Sequence, residues 1–522
     1  MIVLQLLIFL LMSALTLGWF SRRAGLPYPI ALVLGGGLLG FVPGLPQLEI
    51  DPTFLLVLVL PPILYQAALL TSWRDFKTNM RQIGLLAIGL VIVTTLAVGA
   101  TLKFLIPDIP WAAAFAFGAI VSPPDAVAAT AIISKLHMPR RIVTVLEGES
   151  LVNDASGLVL YKFAVAAVIA GGFSLFEAGG QFVLISALGV AIGVLIAGGF
   201  IFLHRHIGDA FIEVLVSLSI PYIAYVLAEG VHASGVLAVV AAGLVRGRYS
   251  PAMVSAEMRI LARSVWNILV FMLNSLIFML IGVQLSGALS RLKGFSGWDL
   301  AAYAVAVSMV AILVRFAWVY FVEYVPVWVR RALGRPANPP LPGEAFIVSW
   351  CGMRGIVSLA VALALPTQID DGNLFPYRDL IIFLTYVVIL VTLVVQGLTL
   401  APIIRQVKLG SDHSAREEQD KARLAMCTAA IATIDKMAAE DGPPELAELA
   451  GRLRAEFGER MVAHSALTHQ DGGGAFSLAT RMRKAAVRAE RDELIRIWRA
   501  GEISDEVLHH IEEELDYEES RL

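Results

Sequence analysis

The 522-residue sequence predicts an all-α polytopic membrane protein with a soluble helical C-terminal tail, and three observations carry that prediction. Hydrophobic residues make up 57 % of the chain and charged residues only 16 %, with a mean hydropathy of +0.75. A soluble protein of this size carries about a quarter charged residues. Apolar stretches long enough to cross a hydrocarbon core of about 30 Å recur up to residue 404. Charge is also partitioned: residues 1–410 hold 25 Lys or Arg and 19 Asp or Glu, whereas residues 411–522 hold 15 and 24. The chain reads as a basic membrane domain over residues 1–409 and an acidic cytoplasmic tail over residues 410–522. This composition excludes a secreted disulfide scaffold, an ordinary soluble enzyme and a nucleic-acid binder. Cys351 and Cys427 offer neither metal-ligand spacing nor a disulfide framework.

Thirteen spans are read in order: 2–20, 28–43, 54–70, 83–106, 111–134, 142–170, 181–203, 212–228, 233–247, 265–288, 299–322, 344–365 and 379–404. The first lacks a basic n-region and a cleavage site before Arg22, so it is taken as a span and not as a removable signal. One alternate set of loops carries 18 basic residues: Arg22, Arg23, Arg74, Lys77, Arg81, Lys135, Arg140, Arg141, Arg205, Arg246, Arg248, Arg259, Arg263, Arg330, Arg331, Arg335, Arg405 and Lys408. The opposite set carries 4, namely Lys103, Arg291, Lys293 and Arg378. The basic side is read as cytoplasmic, which puts the N-terminus outside and the tail inside, in a cell (inner) membrane. An odd number of spans is consistent with that. Trp19, Trp73, Trp111, Trp298 and Trp328 fall near span ends, as interfacial anchors do. His137, His204, His206 and His232 also fall at span ends, where a solvated or interfacial histidine is ordinary.

The tail reads as helices near 414–440, 443–464, 478–500 and 504–519, broken at Gly472-Gly473-Gly474. Glu512-Glu513-Glu514 and Glu518-Glu519 form an acidic run. A solvated helical appendage and a regulatory or dimer-linking tail are both open.

Ionisable residues inside spans are few: Asp125, Glu147, Glu149, Asp154, Lys162, Glu213, Arg315 and Arg354. Each costs on the order of 3 kcal/mol at the bilayer centre, which marks it as functional or paired. Glu213, near a span end, reads as a structural partner. In the fifth span, Pro123 and Pro124 remove two N–H donors, so the helix opens there, and Asp125 follows at once. Broken backbone at membrane depth lines a cavity or is buried in protein, and half-helix ends attract ions. Pro61-Pro62 in the third span reads as a kink. In the sixth span, Ser150 and Asp154 are i,i+4 neighbours, Glu147 extends the same stripe, and Glu149 and Asn153 form the adjacent pair. Hydroxyl and carboxylate oxygens suit an alkali cation and no soft metal. A carboxylate taken out of water also holds a proton more readily. One group that binds a cation or a proton, but not both, is the minimum device for exchange. In the twelfth span, Gly352 and Gly355 flank Met353-Arg354 and loosen the helix. Arg354 stays charged and needs a carboxylate, with Glu149 the first choice and Glu147 the second. Lys162 is read either as a counter-charge or as a side chain reaching a cavity mouth.

Ser122-Pro123-Pro124-Asp125, Gly148-Glu149-Ser150-Leu151-Val152-Asn153-Asp154 and Gly352-Met353-Arg354-Gly355 together resemble the Na⁺/H⁺ exchanger family, the first monovalent cation–proton antiporter family, most closely its bacterial NhaP-like members. The resemblance covers residues 1–405 and leaves the tail unassigned. It implies thirteen helices in inverted repeats, a dimerisation bundle and a core bundle with crossed and unwound fifth and twelfth helices, a homodimer and elevator-like alternating access. It makes Asp154 the cation- and proton-binding carboxylate, Asn153 its neighbour in an Asn-Asp pair associated with electroneutral 1:1 exchange, Ser150 a hydroxyl ligand of Na⁺, and the Pro124 backbone a carbonyl ligand. Asp125 would sit at the helix crossing, and Glu149 and Arg354 would form a structural ion pair. Family members commonly carry an acid in the third span, where this chain has Gln66, which offers an amide oxygen without charge. The implied activity is Na⁺/H⁺ antiport with no enzyme chemistry and no cofactor beyond the transported ions. K⁺/H⁺ antiport, a cation channel and a non-transporting membrane sensor are the alternatives. An intramembrane acid protease is disfavoured because no Gly-x-Gly-Asp motif accompanies Asp125 and Asp154.

Overall fold

The computed structural model of the protein describes residues 2–42, 52–133, 136, 138–170, 175–204, 206–207, 209–253, 256–292, 294–334, 341–369, 373–407, 413–439, 444–466, 485–497, 500, 511 and 515. Several expected features lie outside these residues. They are Lys135, His137, Arg205, Lys293, Arg335, Lys408, the Gly472–Gly474 break, the acidic run, and much of the helices expected over 478–500 and 504–519. The described chain divides into two compact units, Met1–Ser411 and Asp412–Leu522.

The first unit is helical. Its opening helices are α1 (Ile2–Ala24), α2 (Tyr28–Gly40), α3 (Pro52–Leu70), α4 (Trp73–Thr78), α5 (Met80–Gly84) and α6 (Val91–Leu105). Then come α7 (Trp111–Val121), α8 (Ala126–Ile133), α9 (Arg140–Ala170), α10 (Leu175–His204), α11 (Ala210–Gly230) and α12 (Gly235–Met253). The last are α13 (Ala256–Arg291), α14 (Gly297–Ala332), α15 (Pro342–Trp350), α16 (Ile356–Leu363), α17 (Arg378–Val391) and α18 (Gly397–Val407). Among the described residues the one extended pairing outside helices is a bridge between Gln368 and Leu374. Eight helical segments are long and apolar enough to cross a membrane, among them 111–133, which contains the Pro-Pro break, and three shorter apolar helices cover 8–21, 28–40 and 57–70. The other two expected spans coincide with α12 and with the interrupted pair α15 and α16.

Continuous helix is the only way these apolar segments satisfy their own backbone in lipid. Two departures from it are π-helical: Leu85–Leu90 joins α5 to α6, and Thr392–Gln396 joins α17 to α18. Neither was signalled by a proline at the site. The larger buried cluster gathers Leu86, Phe117, Ile120, Ile347, Val361 and Leu384, so α7, α15, α16 and α17 sit at its centre. A second cluster, with Tyr65, Leu151, Val236 and Trp266, joins α3, α9, α12 and α13. Helix α9 contributes to both. Val183, Leu184, Leu195 and Phe202 of α10 remain exposed, the apolar surface expected of a lipid-facing helix. Trp19, Trp111, Trp298 and Trp328 are exposed as well.

One span-end expectation changes, that for His204. His204 is not solvated: it is buried, with Nε2 3.2 Å from the Glu213 carboxylate. Lys162 turns to Glu229, 3.0 Å away, and a second Glu229 oxygen accepts the Gly235 N–H.

In the second unit, α19 (His413–Ala439) and α20 (Pro444–Ala466) occupy the first two helical regions expected in the tail. Arg454 pairs with Asp435 across them. Val487, Leu494 and Leu515 form a small separate apolar cluster.

Candidate functional site

The first helix break falls where the missing N–H groups require it. Helix α7 ends at Val121 and α8 begins at Ala126, with Pro123 and Pro124 between. The free N–H groups opening α8 find side-chain acceptors. Asp125 Oδ1 accepts the Val127 N–H at 2.7 Å, and Ser150 Oγ accepts the Ala126 N–H at 3.3 Å. A carboxylate there also complements the positive end of the helix dipole. Asn153 Nδ2 donates to the Pro124 carbonyl at 2.8 Å. Helix α9 therefore grips both sides of the break through Ser150 and Asn153, three residues apart on one face.

The second break, Cys351–Gly355 between α15 and α16, contains no proline and depends on its glycines. The two breaks touch, because the Asp125 N–H donates to the Met353 carbonyl at 2.7 Å. Gly355 is required by proximity: a Cβ at that position would overlap the Asp125 carboxylate. Gly157 of α9 likewise leaves room for the Pro123 ring. Thr392, at the start of the second π-helical segment, accepts the Arg354 N–H at 3.1 Å.

Two fully buried arginines close the carbonyl ends of the half-helices. Arg354 Nε donates to the Val121 carbonyl at 2.9 Å, at the end of α7, and its Nη1 donates to Gly352. Arg315 of α14 donates through Nε and Nη2 to the Val348 carbonyl in the last turn of α15, at 3.1 and 3.0 Å. Arg315 also takes the carboxylate: Nη1 meets Glu149 Oε1 at 2.5 Å and Nη2 meets Oε2 at 2.9 Å. The expected Glu149–Arg354 pair is thus corrected to Glu149–Arg315. The physical reason is geometric, since Arg354 extends toward the orphan carbonyls of α7 while Glu149 faces the planar fork of Arg315. Each arginine meets the negative end of a helix dipole.

Beside this frame lies a cavity of about 150 Å³, lined by Asp154, Asp125, Ser150, Glu147, Thr130 and apolar residues including Leu60, Ile63, Leu64, Ala67 and Val357. Asp154 is only 6 % exposed. Among the described residues it forms no hydrogen bond or ion pair. The structure brings Asp154, Ser150 and Asp125 to one cavity and leaves others behind it. Asn153 and Pro124 bond to each other in the wall. Gln66, expected at the site, turns away: its amide nitrogen Nε2 donates to Asn267 Oδ1 at 3.1 Å, while its neighbours Ile63 and Ala67 line the cavity. A side chain one residue from Ala67 lies about 100° around the helix from it. Sequence reasoning missed Arg315 as the partner of Glu149 and Glu147 as a cavity wall. For Glu147 the signal was present, two helical turns from Asp154 on the same stripe.

The chain is similar to known proteins over most of its length. The family described as "Sodium/hydrogen exchanger, transmembrane" matches residues 11–406. A Na⁺/H⁺ exchanger of Mycobacterium tuberculosis (strain ATCC 25618 / H37Rv) is 35 % identical over 506 residues, covering 95 % of this chain and 91 % of the relative. A sodium, potassium, lithium and rubidium/H⁺ antiporter of Bacillus subtilis (strain 168) is 32 % identical over 501 residues, covering 94 % and 73 %. Among solved structures, the sodium proton antiporter MjNhaP1 of Methanocaldococcus jannaschii shares the fold, with a TM-score of 0.61, 18 % identity, and coverage of 78 % of this chain and 99 % of that one.

Proposed function

Because this chain belongs to the sodium/hydrogen exchanger family, we propose that it is a secondary active antiporter exchanging a monovalent cation, foremost Na⁺, for H⁺, one for one. The observation that carries the reading is Asp154, a carboxylate almost fully removed from water, facing a cavity, with no protein partner among the described residues. An ionised carboxylate so placed is costly until something neutralises it. A proton and an alkali cation each do so, and they exclude one another. A core that changes its exposure only when Asp154 is neutral carries one ion per stroke, which couples the two fluxes.

The neighbouring side chains fit that task. Asn153 adds no charge, so the Asn153-Asp154 pair holds a single titrating group and the exchange is electroneutral. Ser150 supplies a hydroxyl oxygen, Asp125 a second carboxylate at the helix crossing, and Pro124 a carbonyl already shared with Asn153. Arg315 and Arg354 hold the half-helix ends while the cargo changes. We read the side rich in Lys and Arg as cytoplasmic, with the acidic tail on that side, and the working unit as a homodimer in the cell membrane. Gln66, facing Asn267, supplies no ligand.

K⁺/H⁺ antiport is the second reading. It is favoured by the Bacillus subtilis relative, whose described range spans sodium, potassium, lithium and rubidium. The deciding experiment is cation-induced collapse of a pH gradient in inside-out vesicles, with Na⁺, K⁺ and Li⁺ added separately and Asp154→Asn assayed beside the wild type. Collapse by a cation that disappears in Asp154→Asn establishes antiport and names the cargo. Correctly inserted protein that collapses the gradient with no cation overturns it.

A further inference from the structure

Glu147 lines the same cavity as Asp154 yet has no place in the site described so far. It lies on α9 seven residues before Asp154, about 10 Å along the helix axis and on nearly the same face. Like Asp154, it forms no hydrogen bond or ion pair among the described residues. The buried cations do not reach it, for Arg315 holds Glu149 and Arg354 holds backbone carbonyls. A charge in a span with no protein partner and a face on a cavity is an unspent binding capacity. Two helical turns apart on α9, about 10 Å along its axis, Glu147 and Asp154 do not share a single dehydrated ion.

From this arrangement we infer that Glu147 is a separate vestibule station for the cation. It draws the ion into the cavity and hands it to Asp154. Resting on the antiport reading above, the inference concerns how the cation arrives rather than what is exchanged. The placement of the other lining residues supports a path: Leu70 closes α3 just before Arg74, Thr130 lies in the last turn of α8, and Glu147 follows Arg140 and Arg141 by two turns. All three lie between Asp154 and the basic-loop side, so the station faces the cytoplasmic solution in the topology proposed here. At that end of α9, Arg140 pairs with Asp75 and Arg141 with Glu323 and Glu344, which leaves Glu147 as the cavity-lining acid nearest the basic loops. A unit negative charge about 10 Å from Asp154, in a partly hydrated cavity, raises local cation occupancy by about three- to tenfold.

The test is the cation dependence of exchange in vesicles at low ionic strength, for wild type, Glu147→Gln, Glu147→Asp, Glu147→Lys and Asp154→Asn, with insertion checked for each. The expected result is a half-saturating cation concentration about three- to tenfold higher in Glu147→Gln, higher again in Glu147→Lys, and largely restored in Glu147→Asp. Maximal rate should change much less. An inert salt should narrow the difference between wild type and Glu147→Gln by screening, which a purely structural role does not produce. An unchanged half-saturation in Glu147→Gln overturns the inference. So does a collapse of maximal rate that saturating cation fails to recover. Exchange persisting in Asp154→Asn overturns the antiport reading itself, which the Asp154→Asn arm reports separately.

Discussion

Arg315 and Arg354 are both fully buried, and one carboxylate, Glu149, is shared out between them by geometry alone; a double-mutant cycle tests that assignment. The bidentate contact at 2.5 and 2.9 Å ties Glu149 to Arg315. Buried charge-assisted bonds contribute about 1.5–3 kcal/mol each, and stranding one member of a buried pair costs about 3–5 kcal/mol. Arg315→Met leaves Glu149 charged and alone and also frees the Val348 carbonyl, so it should lie at the upper end of that range. Glu149→Gln keeps an acceptor for Arg315 and should lose less. The double variant removes both charges and should be more stable than additivity predicts by about 3 kcal/mol. Arg354→Met frees the Val121 and Gly352 carbonyls and removes a charge that acts on Glu149 only through space, so its coupling to Glu149→Gln should be smaller, about 1 kcal/mol. In a thermal melt of detergent-solubilised protein, where about 1 kcal/mol moves the midpoint by about 2 °C for a large domain, the coupling appears as a difference of about 6 °C. Stronger coupling of Glu149→Gln to Arg354→Met than to Arg315→Met, or additivity in both cycles, refutes the assignment.

Other outcomes follow from the same contacts. If cation and proton compete for Asp154 alone, the half-saturating cation concentration rises by at most about tenfold per unit fall in pH, and a steeper slope in gradient-collapse assays requires a second competing proton. Gly355→Ala drives a Cβ into the Asp125 carboxylate, which should destabilise the protein by about 1–3 kcal/mol and depress exchange; equal melting and transport to wild type would show that the crossing is looser than described. Gln66→Ala should leave the half-saturating cation concentration within about twofold, and a larger rise measured in vesicles would place that amide back at the cargo. Lys162→Ala removes a half-exposed pair with Glu229 and should lower stability by no more than about 1 kcal/mol in a melt.

The reasons some of this was legible in the sequence and some was not are physical. Pro123-Pro124 cannot donate hydrogen bonds, so the opening between α7 and α8 was written in the chain. The paired glycines around Arg354 marked the second opening for a similar reason, and the i,i+4 spacing put Ser150 and Asp154 on one face. Contacts between spans carry no such mark. Two buried arginines and one buried carboxylate on different helices allow more than one pairing, and only the packing of α14 against α15 selects Arg315. The direction of Gln66 depends on how α3 is rotated against α13, which one sequence does not state. The π-helical turn at Thr392 needed no proline to form, so nothing announced the hydroxyl that receives the Arg354 N–H. Glu147 was visible as part of the Asp154 stripe, but its meaning required the cavity.

The Glu149–Arg315 contact also sets an order on biosynthesis. The partners are 166 residues apart in the chain. At about 5–20 residues per second, roughly 10–30 s pass between the synthesis of α9 and that of the helix that neutralises it. Through that interval Glu149 is a carboxylate in a newly inserted helix without its guanidinium, and the α15 end that Arg315 also seals does not yet exist. The nascent N-terminal half therefore carries that carboxylate without its partner until α14 is inserted. A chain cut just before Gly297 should be a preferred substrate for membrane quality-control proteases, whereas one extending through α15 should persist.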